Sequence, residues 1–243
     1  MNKVYVVGIG PGEYEQMTLK AIRILKESDV IIGYTVYVNL INELFPEKEL
    51  IATPMKGEAK RCEIAFAEAG KGKVVSIISS GDGGIYGMAG LMYEIGRKHP
   101  ETELCIVPGV TAASAGAAML GAPLIHDFCL ISLSDLLTPW EKIKTRLIMA
   151  AQADFVICLY NPSSKRRHNY LEKACDLIME YQSGDTVCGT TENIGRDGEN
   201  MRVMSLKELR NTEVNMFTTV FIGNSQTKEI GGKVVTPRGY IHE

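Results

Sequence analysis

The sequence predicts an α/β protein of two domains, 1–122 and 123–243, the first with a mainly parallel sheet. Three observations carry this. Short, nearly continuous apolar runs alternate with amphipathic stretches through the first half, the pattern of strands covered on both faces by crossover helices. Glycine-rich loops follow three of those runs. The rhythm then breaks at Gly121-Ala122-Pro123, and a second strand–helix alternation begins beyond it.

In chain order, Val4–Val7 reads as a strand, Thr18–Glu27 as a helix, Val30–Ile32 as a strand and Val38–Leu44 as a helix. Glu58–Ala69 reads as a helix, Val74–Ile78 as a strand, Ile85–Lys98 as a helix, Leu104–Val107 as a strand and Thr111–Leu120 as a helix. The second half gives strand Phe128–Ser132, helix Pro139–Ala151, strand Phe155–Leu159, helix Arg166–Tyr181 and strand Thr186–Thr190. Arg202–Met204, a short helix at Leu206–Arg210 and strand Phe217–Ile222 complete it. Thr138 is the expected N-cap of the Pro139 helix, with Pro139 in the first turn and Glu141 closing a capping box.

Composition narrows the function classes. The 243 residues are 45% hydrophobic and 23% charged, which excludes disorder, collagen and coiled coil. Twenty-six Lys and Arg against 29 Asp and Glu leave a net charge of −3, so general affinity for nucleic-acid phosphates is not expected. The 6 cysteines are scattered, without a CxxC pair or a His at ligand spacing. They read as reduced thiols of a cytoplasmic protein that needs no metal. The N-terminus enters a strand at once and meets Gly8 too early for a signal-peptide core. Ile106–Ile125 carries no charge and is long enough for a bilayer, yet its Ala, Gly and flanking prolines mark a buried helix, not a membrane span.

The first glycine loop is Gly8-Ile9-Gly10-Pro11-Gly12. A GxGxxG fingerprint would need glycine where Glu13 stands, Pro11 lacks an N–H, and Ile31-Ile32-Gly33-Tyr34 offers no acid after the second strand. The loop therefore reads as a close backbone approach to a ligand without phosphates, or as a tight turn alone. The second loop runs from Ser79 to Gly87. Asp82 within it can accept from hydroxyl or ammonium groups, or cap the following helix. The third, Pro108-Gly109-Val110-Thr111-Ala112-Ala113, places Thr111 as an N-cap and Ala112 where a flat ring can come close. All three leave strands of one sheet at their carboxyl ends, where α/β sheets bind ligands.

GIGPG, SSGDGGIYGMAGL and PGVTAASA, in this order and spacing, resemble the tetrapyrrole (corrin/porphyrin) methylase superfamily. GAPLIHDFCLISLSDLLTPWEKI, DFVICLYNPSSKRR, ENIGRDGE, NMFTTVFIGNSQT and VVTPRGY are similar to its precorrin-3B C-17 (cobalt-factor III) methyltransferase branch. That resemblance spans essentially the whole chain. It implies two α/β domains, the second with a mixed sheet, and S-adenosyl-L-methionine held in the cleft between them. It further implies a tetrapyrrole substrate, S-adenosyl-L-homocysteine as product and a homodimer, with neither nucleic acid nor membrane as partner. Pro11, Ser80, Gly81, Asp82, Ile85, Thr111 and Ala112 fall on the superfamily's cofactor-binding positions, with Tyr160-Asn161 and Glu192-Asn193 closing over the adenine side. Gly83 stands where the superfamily has proline, and a looser loop is expected there.

The implied reaction is methylation of a corrin precursor at C-17 with ring contraction in cobalamin biosynthesis. Contraction moves protons on oxygen substituents, which suggests an acid or base among His126, Asp127, Ser132, Ser134 and Asp135. Each of these also has an ordinary role as a cap or turn residue. A polycarboxylate ring calls for local positive charge, and Lys165, Arg166, Arg167, Arg196 and Arg238 are the candidates. The first three lie in Ser163–His168, read as opening a helix. Methylation at a different ring carbon, or of a non-tetrapyrrole substrate as in diphthine synthase, stays open. A nucleotide-binding module is disfavoured by the failed GxGxxG pattern.

Overall fold

The computed structural model describes residues 2–164 and 166–240. The chain divides into two compact units between Thr111 and Ala112.

The first unit runs β1 (Asn2–Gly8), α1 (Leu19–Glu27), β2 (Val30–Tyr34), α2 (Thr35–Asn39), β3 (Glu49–Thr53), α3 (Glu58–Gly70), β4 (Val75–Ser79), α4 (Ala89–Gly96) and β5 (Thr102–Val107). Its strands lie in the order β3-β2-β4-β1-β5, all parallel. Alternation along the strands explains the unbroken apolar runs. Val4, Val6, Ile32 and Ile77 pack under Phe66 of α3 and Met92 of α4. Val7, Ile31, Ile78 and Val107 pack against Ile22 and Leu25 of α1. The sheet is thus buried on both faces.

Three local readings of the sequence are corrected here. The helix expected at Val38–Leu44 is α2, shifted earlier. Val38, Ile41 and Phe45 keep helical spacing, but beyond Asn39 they are carried by successive turns, with Ile41 donating to Val38 and Phe45 to Ile41. Edge strand β3 had no counterpart in the apolar-run reading, because a strand paired on one side keeps exposed Glu49 and Ala52 in its pattern. Helix α4 starts at Ala89 instead of Ile85, since the preceding residues form a turn in which Tyr86 adopts φ 54°.

The second unit comprises α5 (Ala112–Leu120), β6 (Gly121–Ala122), β7 (Phe128–Ser132), α6 (Trp140–Gln152), β8 (Val156–Tyr160) and α7 (Tyr170–Met179). It continues through β9 (Val187–Glu192), β10 (Asn200–Ser205), α8 (Leu206–Leu209), β11 (Thr218–Ile222), β12 (Lys228–Ile230) and β13 (Lys233–Val235). A mixed sheet has the order β10-β9-β11-β8-β7, in which only β7 and β8 are parallel neighbours. A small sheet joins β12, β13 and β6. Helices α6 and α7 cover one face, with Ile143, Leu147, Leu171 and Ile178 on Ile157, Leu159 and Ile222.

Helix α5 explains why the division falls before the expected 122/123 boundary. Its Ala113, Ala117 and Leu120 pack with Cys158 and Phe221 of the second sheet. Contact is close enough that a Cβ on Gly116 would lie 2.5 Å from Thr191 Oγ1. The uncharged run Ile106–Ile125 is therefore shared among β5, a loop, α5 and β6, and no helix among the described residues is long and apolar enough to cross a membrane.

Two helix starts also differ from expectation. Pro139, at φ −55° and ψ 141°, is itself the N-cap of α6, so Thr138 lies outside and the Thr138/Glu141 capping box does not form. Helix α7 begins at Tyr170, which leaves Arg166 and Arg167 in the preceding turn instead of a first helical turn. A capping box does form at α8, between Ser205 and Glu208. The 6 cysteines are free thiols. Burial pushes the pKa of Cys62 and Cys129 up to about 11 and that of Cys175 up to about 12, away from thiolate chemistry at neutral pH.

Gly116→Ala should overpack α5 against Thr191 and Phe221. We expect a loss of about 1–3 kcal/mol, read as a lower urea midpoint with unchanged slope.

Candidate active site

The order β4-β1-β5 brings the three glycine loops side by side at the carboxyl edge of the first sheet. They touch backbone to backbone. Gly10 and Gly81 exchange hydrogen bonds, 3.1 Å from Gly10 N to Gly81 O and 2.7 Å in return, with both residues at positive φ. A Cβ on Gly8 would lie 2.6 Å from the Gly81 carbonyl oxygen, and one on Gly109 would lie 2.1 Å from the same atom. The packing of loop against loop thus by itself requires glycine at positions 8 and 109.

Asp82 locks the arrangement. Its Oδ2 accepts from Gly109 N at 2.8 Å and its Oδ1 from Gly84 N at 2.7 Å. The half-buried carboxylate joins the β4 and β5 loops and does not cap α4. Gly83, where a looser loop is expected from the sequence, is buried; its carbonyl accepts from Ala89 N at 2.9 Å, and a Cβ there would lie 3.1 Å from Val6 Cγ1. Pro11 and Gly81 are buried within this cradle, while Ser80, Ile85 and Thr111 are half-buried at its surface. Residues 8–12, 79–87 and 108–111 contain no Lys or Arg. Their carbonyls, hydroxyls and one carboxylate, rich in acceptors and without a cation, suit an adenosine and an amino-acid group better than a phosphate.

In the second unit, topology again gathers residues far apart in sequence. β8 is antiparallel to β11 and β11 to β9, so β9 runs in the direction of β7 and β8. Ser132, Tyr160 and Glu192 therefore end their strands at one sheet edge. Asn161 and Asn193 follow two of these ends in matching left-handed conformations, φ 54° and 51°. Asn161 Nδ2 donates to Ser132 Oγ at 3.0 Å, and Ser134 N donates to the same hydroxyl at 3.2 Å. Tyr160 OH accepts from Ala113 N at 2.7 Å, filling one of the amides left open at the start of α5 beside Ala112. Glu192 accepts from Asn215 Nδ2, and Asn193 Nδ2 donates to Gly198 O at 3.4 Å.

The five acid–base candidates do not form one cluster. Ser132, Ser134 and Asp135 lie at the carboxyl end of β7. His126 and Asp127 precede its amino end, roughly 15 Å away along the strand, and both are exposed. His126 Nδ1 accepts the Asp127 amide at 2.9 Å. Arg238 stands with them, donating to Ile125 O at 3.3 Å. Arg196 lies 5.5 Å above the Phe217 ring, beside the β9 end. Arg166 is exposed, whereas Arg167 Nη1 donates to Leu133 O at 3.2 Å and its Nε sits 3.6 Å from Asp135 Oδ1. Lys165 lies outside the described residues. One member escaped the sequence reading: Tyr170 OH donates to Asp135 Oδ2 at 2.7 Å, and this bond raises the phenol pKa. The available signal was an aromatic residue opening each helix after β7 and β8, Trp140 and Tyr170.

A parallel sheet edged by basic-free glycine loops, followed by a mixed sheet with its own polar edge, is the architecture of a known class of methylases. The chain belongs to the tetrapyrrole (corrin/porphyrin) methylases, whose family pattern matches residues 3–210. It is 45% identical to the cobalt-factor III methyltransferase of Priestia megaterium across 98% of this chain, and spans 45% of that longer relative. It is 44% identical to a probable cobalt-factor III C(17)-methyltransferase of Salmonella typhimurium, over 97% of this chain and 98% of that one. The crystal structure of the methyltransferase CobJ matches with a TM-score of 0.89 at 35% identity, covering 98% of this chain and 100% of that chain.

Asp82→Ala removes the acceptor of both loop amides. Charge-assisted bonds are worth about 1.5–3 kcal/mol each, so amide exchange at Gly84 and Gly109 should accelerate about tenfold or more by hydrogen–deuterium exchange.

Proposed function

We propose that this protein uses S-adenosyl-L-methionine to methylate a corrin precursor at C-17 and contracts the macrocycle in the same reaction, within cobalamin biosynthesis. The observation that carries this reading is the 44% identity, over nearly the full length of both chains, to the Salmonella relative named for that reaction. The bound cofactor supplies an electrophilic methyl group on a sulfonium and leaves as S-adenosyl-L-homocysteine.

The chain's own contribution is chiefly positional. Methyl transfer to an electron-rich ring carbon needs no nucleophile from the protein, and holding two reactants in attack geometry is worth ~7–11 kcal/mol. In this reading Pro11, Ser80, Gly81, Asp82, Ile85, Thr111 and Ala112 hold the cofactor, with Asp82 acting through the Gly109 loop it fixes. Tyr160, Asn161, Glu192 and Asn193 serve its adenine side. Ser132, Ser134 and Asp135 handle the protons of ring contraction, in preference to His126 and Asp127, which stand apart from them. Arg166, Arg167 and Arg196 meet ring carboxylates. The same reading takes the protein as a cytoplasmic homodimer, which sedimentation velocity tests. Cobalt-factor III is the preferred substrate, because three relatives at 44–45% identity are named for it.

Anaerobic incubation with methyl-labelled S-adenosylmethionine and cobalt-factor III should give a pigment labelled at C-17 with C-20 out of the ring, by mass spectrometry and NMR. Label appearing only on metal-free precorrin-3B would move the protein to that substrate. Label on neither would sink the reading. Asp82→Ala should weaken S-adenosylhomocysteine binding by calorimetry. Replacing Arg166 and Arg167 together by Ala should raise the tetrapyrrole KM more than it lowers kcat.

A further inference from the structure

The segment linking β7 to α6 holds two leucines out of the protein. Leu136 is 69% exposed and Leu137 is 99% exposed. The residues on either side are fixed. Leu133 is buried and its carbonyl accepts from Arg167 Nη1 at 3.2 Å. Ser134 N donates to Ser132 Oγ at 3.2 Å. Asp135 accepts from Tyr170 OH at 2.7 Å. On the far side, the Trp140 ring packs on the Tyr170 ring at 4.6 Å, and the Lys173 ammonium lies over both. Tyr170 therefore clamps both ends of the loop, its hydroxyl holding Asp135 and its ring holding Trp140.

Single exposed leucines are ordinary. Two adjacent ones at the tip of a pinned loop are different, because both ends of the loop are held and the tip leaves their apolar surface in water. The surroundings indicate what covers them. The exposed Arg166 and the half-buried Arg167 lie on the neighbouring β8–α7 segment, and the tip belongs to the sheet edge that carries Ser132, Tyr160 and Asn161. An apolar tip beside guanidinium groups complements a flat apolar ring with a carboxylate rim.

We propose that Leu136 and Leu137 form a specificity-determining contact with the apolar face of the tetrapyrrole, and that Tyr170 is the positioning residue that holds them there. This rests on the functional reading above and names the part of the chain that recognises the macrocycle.

The test is an absorbance titration of cobalt-factor III into the protein saturated with S-adenosylhomocysteine, comparing wild type with the double variant Leu136→Ser, Leu137→Ser. Pigment affinity should fall at least tenfold, while S-adenosylhomocysteine affinity and the urea midpoint stay unchanged. Tyr170→Ala should reproduce the loss, and Tyr170→Phe, which keeps the ring on Trp140, should recover part of the pigment affinity. Unchanged pigment affinity in the double variant overturns the proposal. So does a dimer-to-monomer shift in sedimentation with pigment affinity intact, which would assign the leucines to a second copy of the chain. A wild-type protein that binds neither cobalt-factor III nor precorrin-3B overturns the functional reading and this contact with it.

Discussion

The arrangement of the first unit depends on one close approach, that of Gly8, Gly81 and Gly109 at the carboxyl edge of the parallel sheet. A methyl group at Gly109 would sit 2.1 Å from the Gly81 oxygen, so no side chain can be accommodated while the three loops stay together. The sheet makes the approach possible by setting β4, β1 and β5 next to one another. Asp82 then makes it durable, since its side chain accepts one backbone amide in its own loop and one in the β5 loop and so ties the two together. A ligand arriving at this edge meets a surface whose shape is already set, which lowers the ordering cost of binding.

The second unit reaches a comparable result by another route. Its sheet is mixed, yet the antiparallel β11 between β8 and β9 makes those two strands point the same way. Polar residues from three separate segments therefore finish at one edge, with Asn161 and Asn193 turning the chain sharply there. Asn tolerates the left-handed region because its short amide bonds locally. Ser132 accepts from Asn161 and Ser134, and Asp135 from Tyr170, so the groups nearest the edge are oriented before any substrate arrives.

Much of this was legible in the residues. Strands buried on both faces have no polar face to break their pattern, so β2, β4, β8 and β11 stand out as apolar runs. What periodicity could not separate was an apolar spacing borne by turns from one borne by helix, as at Val38, Ile41 and Phe45. Nor does sequence spacing show that a helix start is displaced by an upstream turn, which moved α4 to Ala89 and α7 to Tyr170. In α7 the difference bears on function, because it takes Arg166 and Arg167 off the helix N-terminus and lets Arg167 reach Leu133 and Asp135.

The sequence by itself determined the fold class, the three glycine loops, the absence of a phosphate cradle among them and the family resemblance, because these rest on local composition and order. Only the tertiary structure decided which groups meet. Asp82 serves Gly109 from 27 positions away, and Tyr170 serves Asp135 from 35. The structure also parted His126 from Ser132, near neighbours in the chain set at opposite ends of one strand. Strand order and direction are properties of the whole sheet, and no local pattern of residues encodes them.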